Sequence, residues 1–127
     1  MTDETGEVEE ETARGPFRVD VVTLLPGVFE AYWSESMLGR AREAGLLQCS
    51  AHQVREFTTD KHHITDEEPY GGGGGMVMKP EPIFAAVEAV REGGPRELVV
   101  VMAPTGEQFS QAMAEELSRE YDHLVIV

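Results

Sequence analysis

Three short apolar runs, "FRVDVVTLLP", "ELVVVM" and "HLVIV", constrain the fold of this chain more than any other feature. Val19, Val21, Val22, Leu24 and Leu25 fill the first of them nearly without interruption, and Pro26 ends it. Such runs suit strands covered on both faces, because a half-exposed strand alternates apolar with polar residues. Helically spaced stretches separate them. "GVFEAYWSESMLGRAREAGLL" places Phe29, Tyr32, Trp33, Met37, Leu38 and Ala41 at helical intervals, with Gly39 and Gly45 as breaks, and predicts two short helices or one broken helix. "LLQCSAHQVREF" reads as a further strand with Cys49, Ala51 and Gln53 on one face and Gln48, Ser50 and His52 on the other.

The clearest helix is "EPIFAAVEAVREGGP", whose stripe is Ile83, Ala86, Val87 and Val90, with Gly93 at the expected stop and Pro95 beyond. After "ELVVVM", Thr105 and Gln108 have capping-box spacing, and Phe109, Met113 and Leu117 predict the stripe of a last helix. Strands alternating with helices in this order imply an α/β fold, layered, with a mostly parallel sheet. In open parallel sheets ligands sit beyond the carboxyl ends of the strands. "HLVIV" stops at Val127, where a strand would hand over to its loop, so the sequence reads as the leading portion of a longer protein. It is also expected to leave that strand with a neighbour missing, as an unpaired apolar edge.

Between Thr58 and Lys79 apolar periodicity vanishes, and a loop of about 20 residues in a small domain is usually disordered or functional. Its centre, "DEEPYGGGGGMVMKPEP", holds five consecutive glycines. Each gives up roughly 0.5–1 kcal/mol relative to alanine in ordered structure, so an ordered run needs a compensating use. A flexible linker is one reading. A phosphate cradle is a second, but the run lacks the Gly-Lys-Ser/Thr ending of a Walker loop, and Met76 stands where a dinucleotide fingerprint needs glycine. The third is backbone lying close against a flat base. Tyr70 for stacking, Met76 and Met78 as adaptable apolar surface, and the preceding Arg55, Lys61, His62 and His63 favour it.

The formal net charge is -14, which weighs against extensive phosphate contacts by this chain and predicts weak, salt-sensitive RNA binding. Asp3, Glu4, Glu7, Glu9, Glu10 and Glu11 concentrate the charge in residues 1–16, which read as a disordered acidic tail ahead of a domain over 17–127. That beginning lacks the basic and then apolar pattern of a secretory signal, and no run approaches a membrane span, so a cytoplasmic location is expected. Cys49 is the single cysteine, which excludes an internal disulfide and a cysteine zinc cage. His62 and His63 are adjacent, and Cys49 and His52 three apart; in extended chain each pair points to opposite sides, so no metal site is expected. Asp66, Glu67 and Glu68 read either as an acidic turn in solvent or as a general-base cluster.

Three collinear stretches, "TLLPGVFEAYWSESMLGRAREAGLL", "REFTTDKHHITDEEPYGGGGGMVMKPEPI" and "VVVMAPTGE", resemble the N-terminal half of bacterial tRNA (guanine-N1)-methyltransferases, the TrmD family of the SPOUT superfamily. The likeness runs from Phe17 to Val127, and its most specific element is Asp66 to Met76. Glu67 replaces the family's second aspartate, Gly74 stands at a usual proline or alanine, and Met102 to Thr105 replace a commoner Leu-Ser-Pro-Gln.

The resemblance implies a homodimer that moves a methyl group from S-adenosylmethionine to N1 of the guanine 3′ of the tRNA anticodon. It also implies a SPOUT-type sheet whose knot-forming C-terminal part, with the catalytic aspartate, would lie after Val127, so no residue here is the family's base and the chain by itself is expected to be inactive. Carried over by position, Val101, Met102, Ala103, Pro104, Thr105 and Gly106 would wall the adenosine pocket. Asp66, Pro69, Tyr70, Gly71, Gly72, Gly73, Gly74, Gly75 and Met76 would hold the guanine and its neighbour, with Arg40, Lys61 and His62 also facing the tRNA. The competing expectation, from another class, is a non-catalytic α/β nucleotide- or RNA-binding module with a glycine linker.

Overall fold

The computed structural model describes residues 14–67 and 77–127. Strand β1 (Phe17–Thr23) leads into helices α1 (Pro26–Trp33) and α2 (Ser36–Glu43) and then into β2 (Leu47–Gln53), which runs on into a 3₁₀ turn (Val54–Phe57). Two-residue strands β3 (Asp66–Glu67) and β4 (Val77–Met78) precede α3 (Pro80–Val90), β5 (Glu97–Val100), α4 (Gln111–Glu120) and β6 (His123–Ile126). The main sheet has the order β2-β1-β6-β5 with every pairing parallel, while β3 and β4 form a separate antiparallel pair. The predicted α/β architecture with a mostly parallel sheet is the one observed.

The apolar runs account for the core. Val22, Val54, Ala86 and Val125 form its buried centre, with Ile83, Val87, Val90 and Val99 packed around it, so the predicted stripe of α3 faces the sheet. Val21 and Trp33 are buried outside that cluster, and α1 and α2 both lie against β2.

Four local expectations are corrected. Gly39 is no helix break: it lies inside α2, and the break falls before Ser36, whose φ is 52°. A Cβ on Gly39 would meet the Ser34 carbonyl oxygen at 2.5 Å, so glycine serves a close backbone approach there. Helix α3 ends at Val90, ahead of Gly93, because Arg91 is already extended; Gly93 and Gly94 instead take positive φ in the following turn. Helix α4 is capped by Ser110, whose hydroxyl accepts from Met113 N at 3.2 Å, so the Thr105 and Gln108 spacing is no capping box and Phe109 precedes the helix, exposed. Finally, β6 is no edge: it pairs with β1 on one side and β5 on the other, leaving β2 and β5 as the edges among the described residues.

Two guanidinium groups close the C-terminal end of α4. Arg14 donates to the carbonyls of Ser118 and Tyr121 and Arg96 to that of Arg119, and both bind the Asp122 carboxylate, at 2.6 and 2.7 Å. Hydrogen bonds from Arg96 and then Arg14 hold the Asp122 carboxyl down at about 2. A carboxyl depressed by folding stabilises above its unfolded value of 3.8 and loses that contribution as pH falls through about 2. The groups are over a third exposed, so the effect is modest. Urea unfolding of wild type and Asp122→Asn is therefore expected to differ near neutral pH and to converge between pH 3.8 and about 2; a gap that persists to the acid end contradicts this role.

Candidate functional site

The strand ends build the first part. β5 continues as Val101 and Met102, and Met102 N donates to Val127 O at 2.9 Å while Val127 N donates to Val100 O at 2.8 Å. The β5/β6 ladder therefore runs past the formal strand ends and holds the chain that follows. A turn closed by Gly106 N on Ala103 O, at 3.1 Å, then folds residues 103–106 back. Beside it opens a cleft of about 680 Å³, lined among others by Leu98, Val100, Met102, Met113, Leu117 and Ile126. Leu98, Val100, Leu124 and Ile126 occupy the sheet face opposite Val99 and Val125, so this wall stands on the reverse side from the α3 core. It is apolar, with Glu107, Glu116 and Glu120 also lining it, and Val101 and Met102 are exposed. A flat apolar wall with backbone N–H and C=O groups at its edge suits a planar heterocycle.

The second part is the root of the glycine run. Asp66 pairs with Met78 and Glu67 with Val77, so β3 and β4 bring the two ends of the intervening segment together as antiparallel neighbours. Asp66 is half-buried and Glu67 exposed; adjacent strand residues face opposite ways, so these two carboxylates do not form one acid–base pair. The remaining expected residues of the loop, Pro69, Tyr70, Gly71, Gly72, Gly73, Gly74, Gly75 and Met76, lie outside the described residues, as does Glu68.

Ahead of the root, the turn over residues 58–64 is braced internally. The Asp60 carboxylate accepts from Ile64 N at 3.0 Å, and that hydrogen bond holds the carboxyl below its ordinary value. His63, at φ 51°, sets Nδ1 2.7 Å from Thr58 Oγ1 and 3.0 Å from Arg55 O, while Arg55 Nη1 donates to His63 O. His63 and Arg55 therefore shape the turn, whereas Lys61 and His62 stand exposed on it. Lys79 N donates to Thr65 O at 2.6 Å, which ties this turn to β4. A second cleft of about 330 Å³ lies here, lined by Thr58, Asp60, Glu67, Lys79 and Glu81 among others. Arg40 is exposed in the last turn of α2, on a different element from either cleft's lining. Among the described residues no group of three or more His, Cys, Asp or Glu side chains is placed to hold a metal ion, and no helix is long and apolar enough to cross a membrane.

The sequence reading missed a polar network of buried Asp20, Glu97 and His123 side chains with a partly exposed His52. Its signal was present: Asp20 interrupts an apolar run, and Glu97 and His123 open two others.

Known proteins resemble this chain in sequence and in fold. The family model described as tRNA (Guanine-1)-methyltransferase TrmD matches residues 17–127. The tRNA (guanine-N(1)-)-methyltransferase of Myxococcus xanthus is 46% identical over 112 residues, covering 88% of this chain and 45% of that protein. The one from Geobacillus kaustophilus is 46% identical over 110 residues, covering 87% and 45%. Among solved structures, the tRNA (m1G37) methyltransferase from Aquifex aeolicus superposes with a TM-score of 0.76 at 32% identity, over 87% of this chain and 50% of that one. The chain thus spans about half the length of the relatives it matches, and the match takes in every element from β1 to β6. It belongs to the tRNA (guanine-1)-methyltransferase family.

Proposed function

We propose that this chain supplies the N-terminal half of a methyltransferase domain that moves the methyl group of S-adenosylmethionine to N1 of the guanine 3′ of a tRNA anticodon. The observation that carries this reading is the family match over residues 17–127. In it, Val101, Met102, Ala103, Pro104, Thr105 and Gly106 form one wall of the adenosine pocket, and the apolar cleft beside them supports that role. The segment from Asp66 to Met76 holds the target base: glycines leave room for a flipped guanine, and the β3/β4 root returns the chain for a tight approach. Lys61, His62 and Arg40 serve the tRNA backbone as exposed donors.

Methyl transfer needs a donor carbon aligned with N1 and a carboxylate to take the N1 proton. The described residues offer an apolar cleft beside β5 and the β3/β4 root of the segment proposed to hold the guanine; in this reading the base, the C-terminal tRNA grip and the second copy of a cytoplasmic homodimer belong to the intact enzyme.

A chimera tests the reading. Residues 17–127 joined to the C-terminal remainder of the Myxococcus xanthus relative are expected to methylate transcript tRNA bearing that guanine. Replacing Gly74 and Gly75 together by valine is expected to reduce the rate by at least about a hundredfold while circular dichroism stays unchanged, because β-branched side chains fill the space of the base and disfavour positive φ. A folded chimera without activity sinks the proposal, and full activity in the double variant returns the loop to a linker.

A further inference from the structure

One side chain from each strand of the main sheet joins a row of close polar contacts on the core face. His52 Nε2 lies 2.7 Å from Asp20 Oδ1, Asp20 Oδ2 lies 2.6 Å from His123 Nε2, and His123 Nδ1 lies 2.9 Å from Glu97 Oε2. The row runs β2-β1-β6-β5, which is the strand order itself. The side chains of Asp20, His123 and Glu97 are 8%, 8% and 6% exposed, so water does not freely share the two contacts among them, while His52 at the end of the row is 29% exposed.

The charged neighbours are few. From β1, Arg18 Nη2 stands 3.6 Å from Asp20 Oδ2 and is itself paired with Glu92. From the turn after α3, Arg91 Nε reaches Glu97 Oε1 at 3.4 Å and also pairs with Glu88, while the backbone N–H groups of Glu92 and Gly93 donate to the Glu97 carboxylate. Burial pushes the Glu97 carboxyl up, but those N–H groups and the His123 ring outweigh it and hold the group below its ordinary value.

Each of the three contacts needs one proton between its heavy atoms, and the protons can be counted. An ionised carboxylate only accepts, and a neutral imidazole carries a single N–H. Glu97, surrounded by donors, accepts from His123 Nδ1, which uses that ring's one proton. His52 uses its own toward Asp20 Oδ1. The Asp20–His123 contact is then left with two acceptors facing each other at 2.6 Å. One more proton resolves this, and the total is the same whether it resides on ring or carboxyl.

We propose that the folded sheet holds this extra proton in the Asp20–His123 contact as a structural latch between β1 and β6, and that losing it loosens the sheet at that point. The latch is a pH-sensitive device. Above about pH 6.5 the unfolded chain carries neutral imidazoles and ionised carboxylates, so the native state binds one proton more. Stability then falls as pH rises, and a full one-proton difference makes unfolding about tenfold more favourable per pH unit.

Asp20→Asn separates the latch from a generic polar contact. Its amide oxygen accepts from His52 and its amide N–H donates to His123 Nε2, supplying the missing hydrogen covalently. Urea unfolding of wild type is expected to show the alkaline loss between about pH 7 and 8, and Asp20→Asn to show no loss over that range. The range stops there because burial pushes the Cys49 thiol up, and its proton adds a loss of the same sign at higher pH. A readout on wild type alone guards against a variant that fails to fold: unfolding at about pH 7.5, in paired buffers of different ionisation enthalpy, is expected to release about one proton per chain. No released proton, or an Asp20→Asn slope equal to that of wild type, overturns the latch.

Discussion

Titrated calorimetrically with S-adenosylmethionine, the 127-residue polypeptide by itself is expected to give no saturable binding in the micromolar range and no methylation of transcript tRNA. The physical reason lies in the cleft at the end of β5. Val101 and Met102 are 67% and 69% exposed, and the residues that follow through Gly106 are exposed too, so the wall presents one side to a ligand. Small-molecule sites commonly bury about 70–90% of the ligand surface. A ligand touched from one side loses much of that burial, while the entropic cost of immobilising it stays nearly the same. The chimera proposed above, in which the remainder of the domain is restored, is expected to bind. Stoichiometric micromolar binding by the polypeptide alone, in a monodisperse sample by light scattering, would show that this single wall suffices.

Val125→Asp is expected to abolish folding. Val125 is 0% exposed and sits in β6 between Asp20 of β1 and Val99 of β5. The substitution removes about 1.5–3 kcal/mol of apolar burial. It also places a carboxylate in the core beside Asp20, and an unpaired buried charge costs several kcal/mol more. Together these reach the lower part of the roughly 5–15 kcal/mol that holds a domain of this kind together. Dispersed amide resonances with a cooperative thermal transition in the variant would mean that Val125 does not occupy the centre of the core.

Much of the fold was legible in local pattern. The run from Phe17 read as a strand because Val19, Val21 and Val22 leave no room for a solvated face, and the 3.6-residue spacing of Ile83, Ala86, Val87 and Val90 can face a sheet only from a helix. The family resemblance was legible for a related reason: its motifs are contiguous stretches, and contiguous stretches survive intact in a sequence. Residues with context-dependent roles were less legible. Gly39 carries the same letter as the turn glycine Gly45, which takes φ 76°, and only the folded chain shows the Ser34 carbonyl pressed against it. Phe109 fitted the spacing of Met113 and Leu117, but a serine cap one residue later outweighs an apolar match.

What the sequence by itself determined was the kind of the main-sheet strands and of the helices, and the family to which the chain belongs; it showed neither the 3₁₀ turn Val54–Phe57 nor the short pair β3 and β4. Only the tertiary structure decided that β6 enters between β1 and β5, turning an expected open edge into the middle of the sheet. It alone decided that Asp20, His52, Glu97 and His123 meet in one row. The physical reason is that periodicity records which face of a strand is buried, a property of neighbours in the chain. Strand order and register come instead from contacts between residues far apart in sequence: Asp20 and His123, 103 positions apart, become partners only once the helices between them have packed on the sheet.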